Sequence, residues 1–125
     1  MFLNRLGRIS AAQVAVVLTA AAAAVGISAS PASAGCTGHT VWNPAPNEYD
    51  TVQASGGLHL RKGPHTSCGS VQLLSNGTRL ESWCYDYGTV VNGVSTWSYV
   101  RVIDNGRSGW VHDSYLLNNG ANTAC

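Results

Sequence analysis

Four Asn-Gly dipeptides, at positions 76–77, 92–93, 105–106 and 119–120, punctuate the second half of this chain. Asn-Gly favours the positive backbone angles of tight turns and is the strongest short-range signal for a β-hairpin. The segments between the turns are short and rich in Val, Leu, Thr, Trp and Tyr. In one of them Trp97, Tyr99 and Arg101 alternate with Ser98, Val100 and Val102, the period of a strand with two different faces. Nothing after residue 35 sustains a helical period, and Asp113-Ser114-Tyr115-Leu116 has room for one turn of 3₁₀ helix. Residues 35–50, with Pro44 and Pro46, read as an extended arm. These features predict an all-β fold, a small β-barrel of short antiparallel strands.

The first 34 residues have a different grammar. Arg5 and Arg8 precede an uncharged, alanine-rich stretch at residues 9–27, and Pro31-Ala32-Ser33-Ala34 offers the small residues a signal peptidase reads. A secretory signal cleaved after Ala34 is the expectation. A transmembrane anchor is the rival, but the stretch is borderline in length, weakly hydrophobic, and ends in a cleavage motif. A lipid anchor on Cys36 is disfavoured because Ser33 stands where a lipobox carries a bulky aliphatic residue. The division expected is thus a signal at 1–34, an arm at 35–50, a barrel at 51–118 and a tail at 119–125.

Cysteine arithmetic points to the same compartment. Cys36, Cys68, Cys84 and Cys125 all follow the signal. An even set in an exported domain of about 90 residues, too small to be secure on its core alone, reads as two disulfides. Four cysteines allow three pairings. If Asn76-Gly77 closes a two-residue hairpin, Ser75 faces Thr78 and Gly69 faces Cys84, which favours Cys68–Cys84 and leaves Cys36–Cys125 to join the ends.

Without the signal, the cations are Arg61, Lys62, Arg79, Arg101 and Arg107. Six acids oppose them: Glu48, Asp50, Glu81, Asp86, Asp104 and Asp113. The resulting charge of −1 forms no basic stripe, so nucleic-acid binding has no electrostatic basis. Catalytic readings fail as well. His39, His59, His65 and His112 show no metal-ligand spacing, cysteines paired in disulfides supply no thiolate, and no serine sits on a nucleophile elbow. Asn76-Gly77-Thr78 is formally a glycosylation sequon, which the turn explains more simply. The expectation is a monomeric, non-enzymatic binding domain with no cofactor, no metal, no nucleic-acid partner and no membrane contact after signal cleavage.

Five motifs then fall in the order of a known family. Leu58-His59-Leu60-Arg61-Lys62-Gly63-Pro64 resembles the opening L-x-V-R-x-G-P of bacterial SH3 domains. Val71-Gln72-Leu73-Leu74-Ser75-Asn76-Gly77-Thr78 resembles their V-x-x-L-x-x-G-T segment. Trp97-Ser98-Tyr99-Val100 is similar to W-x-x-V, and Gly106-Arg107-Ser108-Gly109-Trp110-Val111 to G-x-x-G-W-V. Asp113-Ser114-Tyr115-Leu116 resembles the closing x-S-x-Y-L. The likeness runs over roughly residues 51 to 117. It departs from the family in a longer connection at residues 85–95 and in the cysteines. The resemblance implies an SH3-like barrel whose partner is cell-wall peptidoglycan or, alternatively, an extracellular protein that it inhibits or scaffolds.

The resemblance also implies a site. Trp97 and Tyr115 match the aromatic floor of the SH3 groove. His112 stands where eukaryotic relatives carry a groove proline, which argues against polyproline ligands. If Val100 and Val102 are core, Trp97 and Tyr99 face outward together. Tyr85, Tyr87 and His112 then extend the surface, with Asp86 as a charged rim, and Trp110 caps the barrel. Aromatic rings with polar tips suit glycan or peptide recognition. A Cys68–Cys84 bridge would, by the family's fold, hold the two walls of this groove at fixed spacing.

Overall fold

The computed structural model describes residues 35–125; the expected signal at 1–34 lies outside the described residues. Within them the chain is all-β, with strands β1 (Tyr49–Thr51), β2 (Leu58–Arg61), β3 (Ser70–Leu74), β4 (Arg79–Val91), β5 (Val94–Val102) and β6 (Ser108–His112). A 3₁₀ turn, Asp113–Tyr115, follows β6. The strands form one antiparallel sheet in the order β1-β4-β5-β6-β2-β3. It curls into a half-barrel of SH3-like form.

Residues 51–53 close the curl. Val52 N–H donates to Thr78 O and Val52 O accepts from Gly77 N–H, which joins β1 to the β3–β4 turn. Gln53 N–H donates to Tyr115 O and Leu117 N–H to Thr51 O, which joins the same segment to the 3₁₀ turn. Inside the curl Leu60, Leu74, Leu80, Val52, Val100, Val102 and Val111 are each at most 1% exposed. Truncating any of the leucines to Ala costs about 2–5 kcal/mol by lost burial and cavity formation.

The Asn-Gly turns do different jobs. Asn92-Gly93 is a two-residue hairpin, with Val91 opposite Val94 and φ of 53° and 77°. Both angles are positive, so the turn follows the strand twist. The longer connection expected at residues 85–95 is therefore an extension of the β4–β5 hairpin, with bulges between Ser82 and Cys84 and between Tyr87 and Val91. Asn76-Gly77 is a turn but not a hairpin. Thr78 N–H donates to Ser75 O at 3.1 Å, yet β3 then pairs with β2 and β4 with β1 and β5.

That divergence corrects the disulfide pairing. Gly69 does not face Cys84, because the two strands separate at the turn. The bonds are Cys36–Cys68 and Cys84–Cys125. The first fastens the arm to the loop after β2. The second fastens the C-terminus to β4, where Tyr85 N–H donates to Thr123 O and Cys125 N–H to Tyr85 O. Neither bridge spans the groove walls in the manner expected of Cys68–Cys84.

The two bridges close loops of similar size, with sequence separations of 32 and 41. The chain-entropy model then gives each about 4 kcal/mol. Double-serine variants at 36/68 and at 84/125 should lose comparable stability in denaturant unfolding. A difference of several kcal/mol between them would show that native contacts, not loop closure, set their worth.

Candidate functional site

The sheet has a second face, opposite the core, and it is aromatic. Strand alternation puts Trp97 and Tyr99 of β5 on it, beside Trp110 and His112 of β6. The register pairs Trp97 with His112 and Tyr99 with Trp110. The rings meet edge to face, at 4.9 Å between centroids for the first pair and 5.4 Å for the second. Trp83 adds a third contact, 5.4 Å from Tyr99. Pairing of Arg61 with Trp110 brings the end of β2 to the same face.

The arm and the loop after β2 cover part of this face. His39 sits edge-on to Trp110 at 5.5 Å. Its Nδ1 donates to Asp86 Oδ2 at 2.9 Å and its Nε2 to Gly35 O at 2.7 Å. Acceptors at both nitrogens favour the imidazolium form of the ring. Burial opposes that charge, but the bonds to Asp86 and Gly35 prevail and raise the His39 pKa. Asp86 is the mirror case: burial pushes its carboxyl up, while His39, the Tyr87 N–H and the nearby charge of His65 bring it below its ordinary value. Further along the arm, Asn43 reaches Glu81, which also accepts from Arg101 and Trp83. Burial again works against ionisation, and these donors hold the Glu81 carboxyl low.

Thr89 ties the β4–β5 hairpin to the loop after β2. Its N–H donates to Pro64 O at 3.2 Å, its hydroxyl meets His65 Nδ1 at 3.1 Å, and it accepts from Thr66 N–H at 3.3 Å. Its carbonyl accepts from Trp97 Nε1 at 2.9 Å. Gly88 makes the approach possible, since a Cβ there would collide with the carbonyl oxygen of Pro64.

Between that loop, the hairpin tip, β2 and the 3₁₀ turn lies a cleft of about 220 Å³. Trp97, His112 and Tyr115 form its aromatic part. Leu58, His59 and Arg61 of β2 line one wall, and Thr66 and Val91 stand on the other elements. His112 is fixed by its surroundings. Nδ1 accepts from Ser114 N–H at 3.1 Å, which leaves Nε2–H to donate to Val94 O at 2.8 Å. Beneath the 3₁₀ turn, the Ser98 hydroxyl donates to Asp113 Oδ1 at 2.6 Å and accepts from Ala121 N–H. Burial raises the Asp113 pKa although Ser98 and Thr96 partly offset it.

The expected site residues therefore separate into three places. Trp97, His112 and Tyr115 meet in the cleft. Tyr99 lies outside its lining, between Trp83 and Trp110. Tyr85 and Tyr87 pair with each other at 5.9 Å on β4, where their mutual hydrogen bond raises the Tyr85 pKa, and Tyr87 is 61% exposed. The outward orientation expected for Trp97 is corrected by its 2% exposure. The valines are core, as expected, but the opposite face is roofed by the hairpin and the loop, so Trp97 floors the cleft as a buried ring. Trp110, at 3% exposure, is covered by the arm. His59, Arg61, Thr66 and Val91 were absent from the sequence-level site. For His59 and Arg61 the signal was present in the alternation with Leu58 and Leu60.

Two outcomes follow from this geometry. Trp97→Ala should cost about 3–5 kcal/mol, as for other buried aromatics, and thermal unfolding will show a large fall in midpoint; a fold left intact would place Trp97 outside the packing. The His39–Asp86 pair should stabilise the arm only within a pH window. His39, with its raised folded value, contributes fully below the unfolded histidine value of about 6.5 and loses its contribution as pH rises through the folded value. Asp86 contributes above the ordinary carboxylate range and loses that as pH falls through its depressed value. The stability difference between wild type and Asp86→Asn should thus peak in mildly acidic solution and shrink on either side. A difference independent of pH would separate the arm's attachment from this ion pair.

Comparison with known proteins agrees with the fold. The model of the bacterial SH3 domain matches residues 56–116. The chain is 37% identical over 78 residues to the uncharacterized protein YraI of Bacillus subtilis (strain 168), and 31% identical over 78 residues to the uncharacterized protein YraJ of the same organism. Each alignment takes in 55% of this chain and 66% of the relative, so the chain spans a little under two thirds of the length of these relatives. From β2 through the 3₁₀ turn, the half-barrel that builds the cleft is a bacterial SH3 domain.

Proposed function

We propose that this domain is a secreted, non-catalytic module that holds to cell-wall peptidoglycan through the cleft floored by Trp97, His112 and Tyr115. The family is one of binding modules, often related to the cell wall. The observation that carries the reading is the cleft itself, a concave site with aromatic rings and a few polar groups brought together from β2, the loop after it, β5, β6 and the 3₁₀ turn. Two disulfides are compatible with an extracellular location. The rings are held by packing and by the bonds of Trp97 and His112 to main-chain carbonyls, so a ligand would meet a site already in shape.

A second reading, a secreted protein that engages another protein, draws on a different surface. Tyr87 and Val90 of the β4–β5 hairpin are 61% and 62% exposed, next to the cleft wall at Val91. Large exposed apolar groups in one stretch favour protein contact over solvent.

Thr66 separates the two. It is exposed at the lip of the cleft, so Thr66→Trp should fill the opening without disturbing the core. Co-sedimentation with purified peptidoglycan should retain the wild-type protein and lose the variant by roughly tenfold or more, as for removal of a central contact. Retention by the blocked variant would move wall binding away from the cleft. Recovery of the wild type in the supernatant would overturn the wall reading and favour a protein partner.

A further inference from the structure

We propose that Arg61 makes the cleft a reader of carboxylates, so that its ligand is the free C-terminal end of a short peptide. The inference rests on the cleft being the ligand site and adds the chemistry that it recognises.

Placement comes first. Arg61 ends β2, where the register shifts after Leu60 and where it pairs with Trp110 of β6. It lines the cleft on the same wall as His59, facing the aromatic rings. Its partners come second. The guanidinium donates from Nη1 to Cys68 O at 3.0 Å. The ion pairs among the described residues, His39–Asp86 and Arg101–Glu81, do not include it. One nitrogen is thus anchored on a main-chain carbonyl, and the other donors of the fork face no carboxylate of the chain's own. Third, no Asp or Glu lines the cleft. In a domain with more acids than cations after residue 34, the cleft is a local positive site.

A planar fork of N–H donors matches a carboxylate better than a hydroxyl-rich glycan, because it offers two parallel charge-assisted bonds. The anchor is also set in advance. Cys68 is bonded to Cys36, and its N–H donates to His65 O at 3.0 Å, so the carbonyl that holds Nη1 is itself fixed. Little side-chain freedom is then lost on binding. Size points the same way. The cleft, at about 220 Å³, lies below the roughly 300–1,000 Å³ of sites that enclose drug-sized ligands. It suits the last one or two small residues of a peptide, their side chains against the half-buried Tyr115 and Val91 and their terminal carboxylate on Arg61.

The test is calorimetric titration of the purified protein, both disulfides formed, with acetyl-alanyl-alanine. The dipeptide is used in L and D configurations, each as the free acid and as the C-terminal amide, beside co-sedimentation with peptidoglycan. At least one free acid should bind roughly tenfold more tightly than its amide, the effect of losing a charge-assisted pair. Arg61→Gln should bring that ratio to about one, and Arg61→Lys should restore part of it. Equal affinities for acid and amide, or no binding of any acid by a protein that sediments with the wall, overturn the proposal while the wall reading stands. Acid selectivity in a protein that does not sediment keeps the proposal and removes the wall reading. If Arg61→Gln fails to fold, the wild-type ratio of acid to amide decides alone.

Discussion

This curled sheet buries a second face as well as its core, and much that is distinctive in the domain follows from that second face. The inner face is closed by the curl itself, over Leu60, Leu80, Val100 and Val111. The outer face of β5 and β6 carries Trp97, Tyr99 and Trp110, rings too large to leave in water at no cost. One sheet of this size cannot cover them. The chain does so with segments that have no regular structure: the arm through His39 over Trp110, and the residue 62–68 loop against the β4–β5 hairpin. Such segments lose much conformational entropy on ordering. Cys36–Cys68 offsets that loss by joining the two coverings to each other.

The C-terminal tail is secured by polar groups. Asp50 is 1% exposed, and its carboxylate accepts from the N–H groups of Thr51, Asn118 and Gly120, each at 2.8 Å. The Ser98 hydroxyl, which donates to Asp113, accepts from the next part of the tail at the Ala121 N–H. A buried acid is tolerable when donors surround it, and here they come from the C-terminal segment. Removing one residue of this set would strand its partners, so the tail is part of the packed domain.

How far the sequence foretold this depends on the range of each interaction. Alternation and turn chemistry are local, and they gave the strands, the hairpin at Asn92-Gly93, the 3₁₀ turn and the valine core. The ordered motifs gave the SH3-like form. The disulfide pairing was lost at Asn76-Gly77, because a turn reports a reversal of the chain and not which strands pair beyond it. Trp97 was misjudged for a related reason. Its alternation correctly placed it opposite the valines, but that rule assumes the second face meets solvent, and the covering residues lie far away in sequence. Thr89 and Pro64 carried no pattern that announces their contact. Arg61 is the converse case, since its position in a strand was legible while its lack of an acidic partner became visible only once the chain was folded.

Covering the aromatic face incompletely is what creates the cleft. The arm stops at Trp110, the loop and hairpin meet at Thr89, and the space between them is the cleft, with Trp97 and His112 buried at its base. The bonds that restrain the covering are also those that shape the opening. Trp97 hangs on Thr89 O, His112 on Val94 O, and Arg61 on Cys68 O. All three acceptors are main-chain carbonyls of restrained segments: Thr89 is bonded to Pro64 O, Val94 pairs with Val91 across the hairpin, and Cys68 is held by its disulfide. Fold stability and site geometry are therefore not separable in this domain. A change that loosens the loop at Cys68 must also release the guanidinium, and a site built this way gains its rigidity from the residues that protect its core.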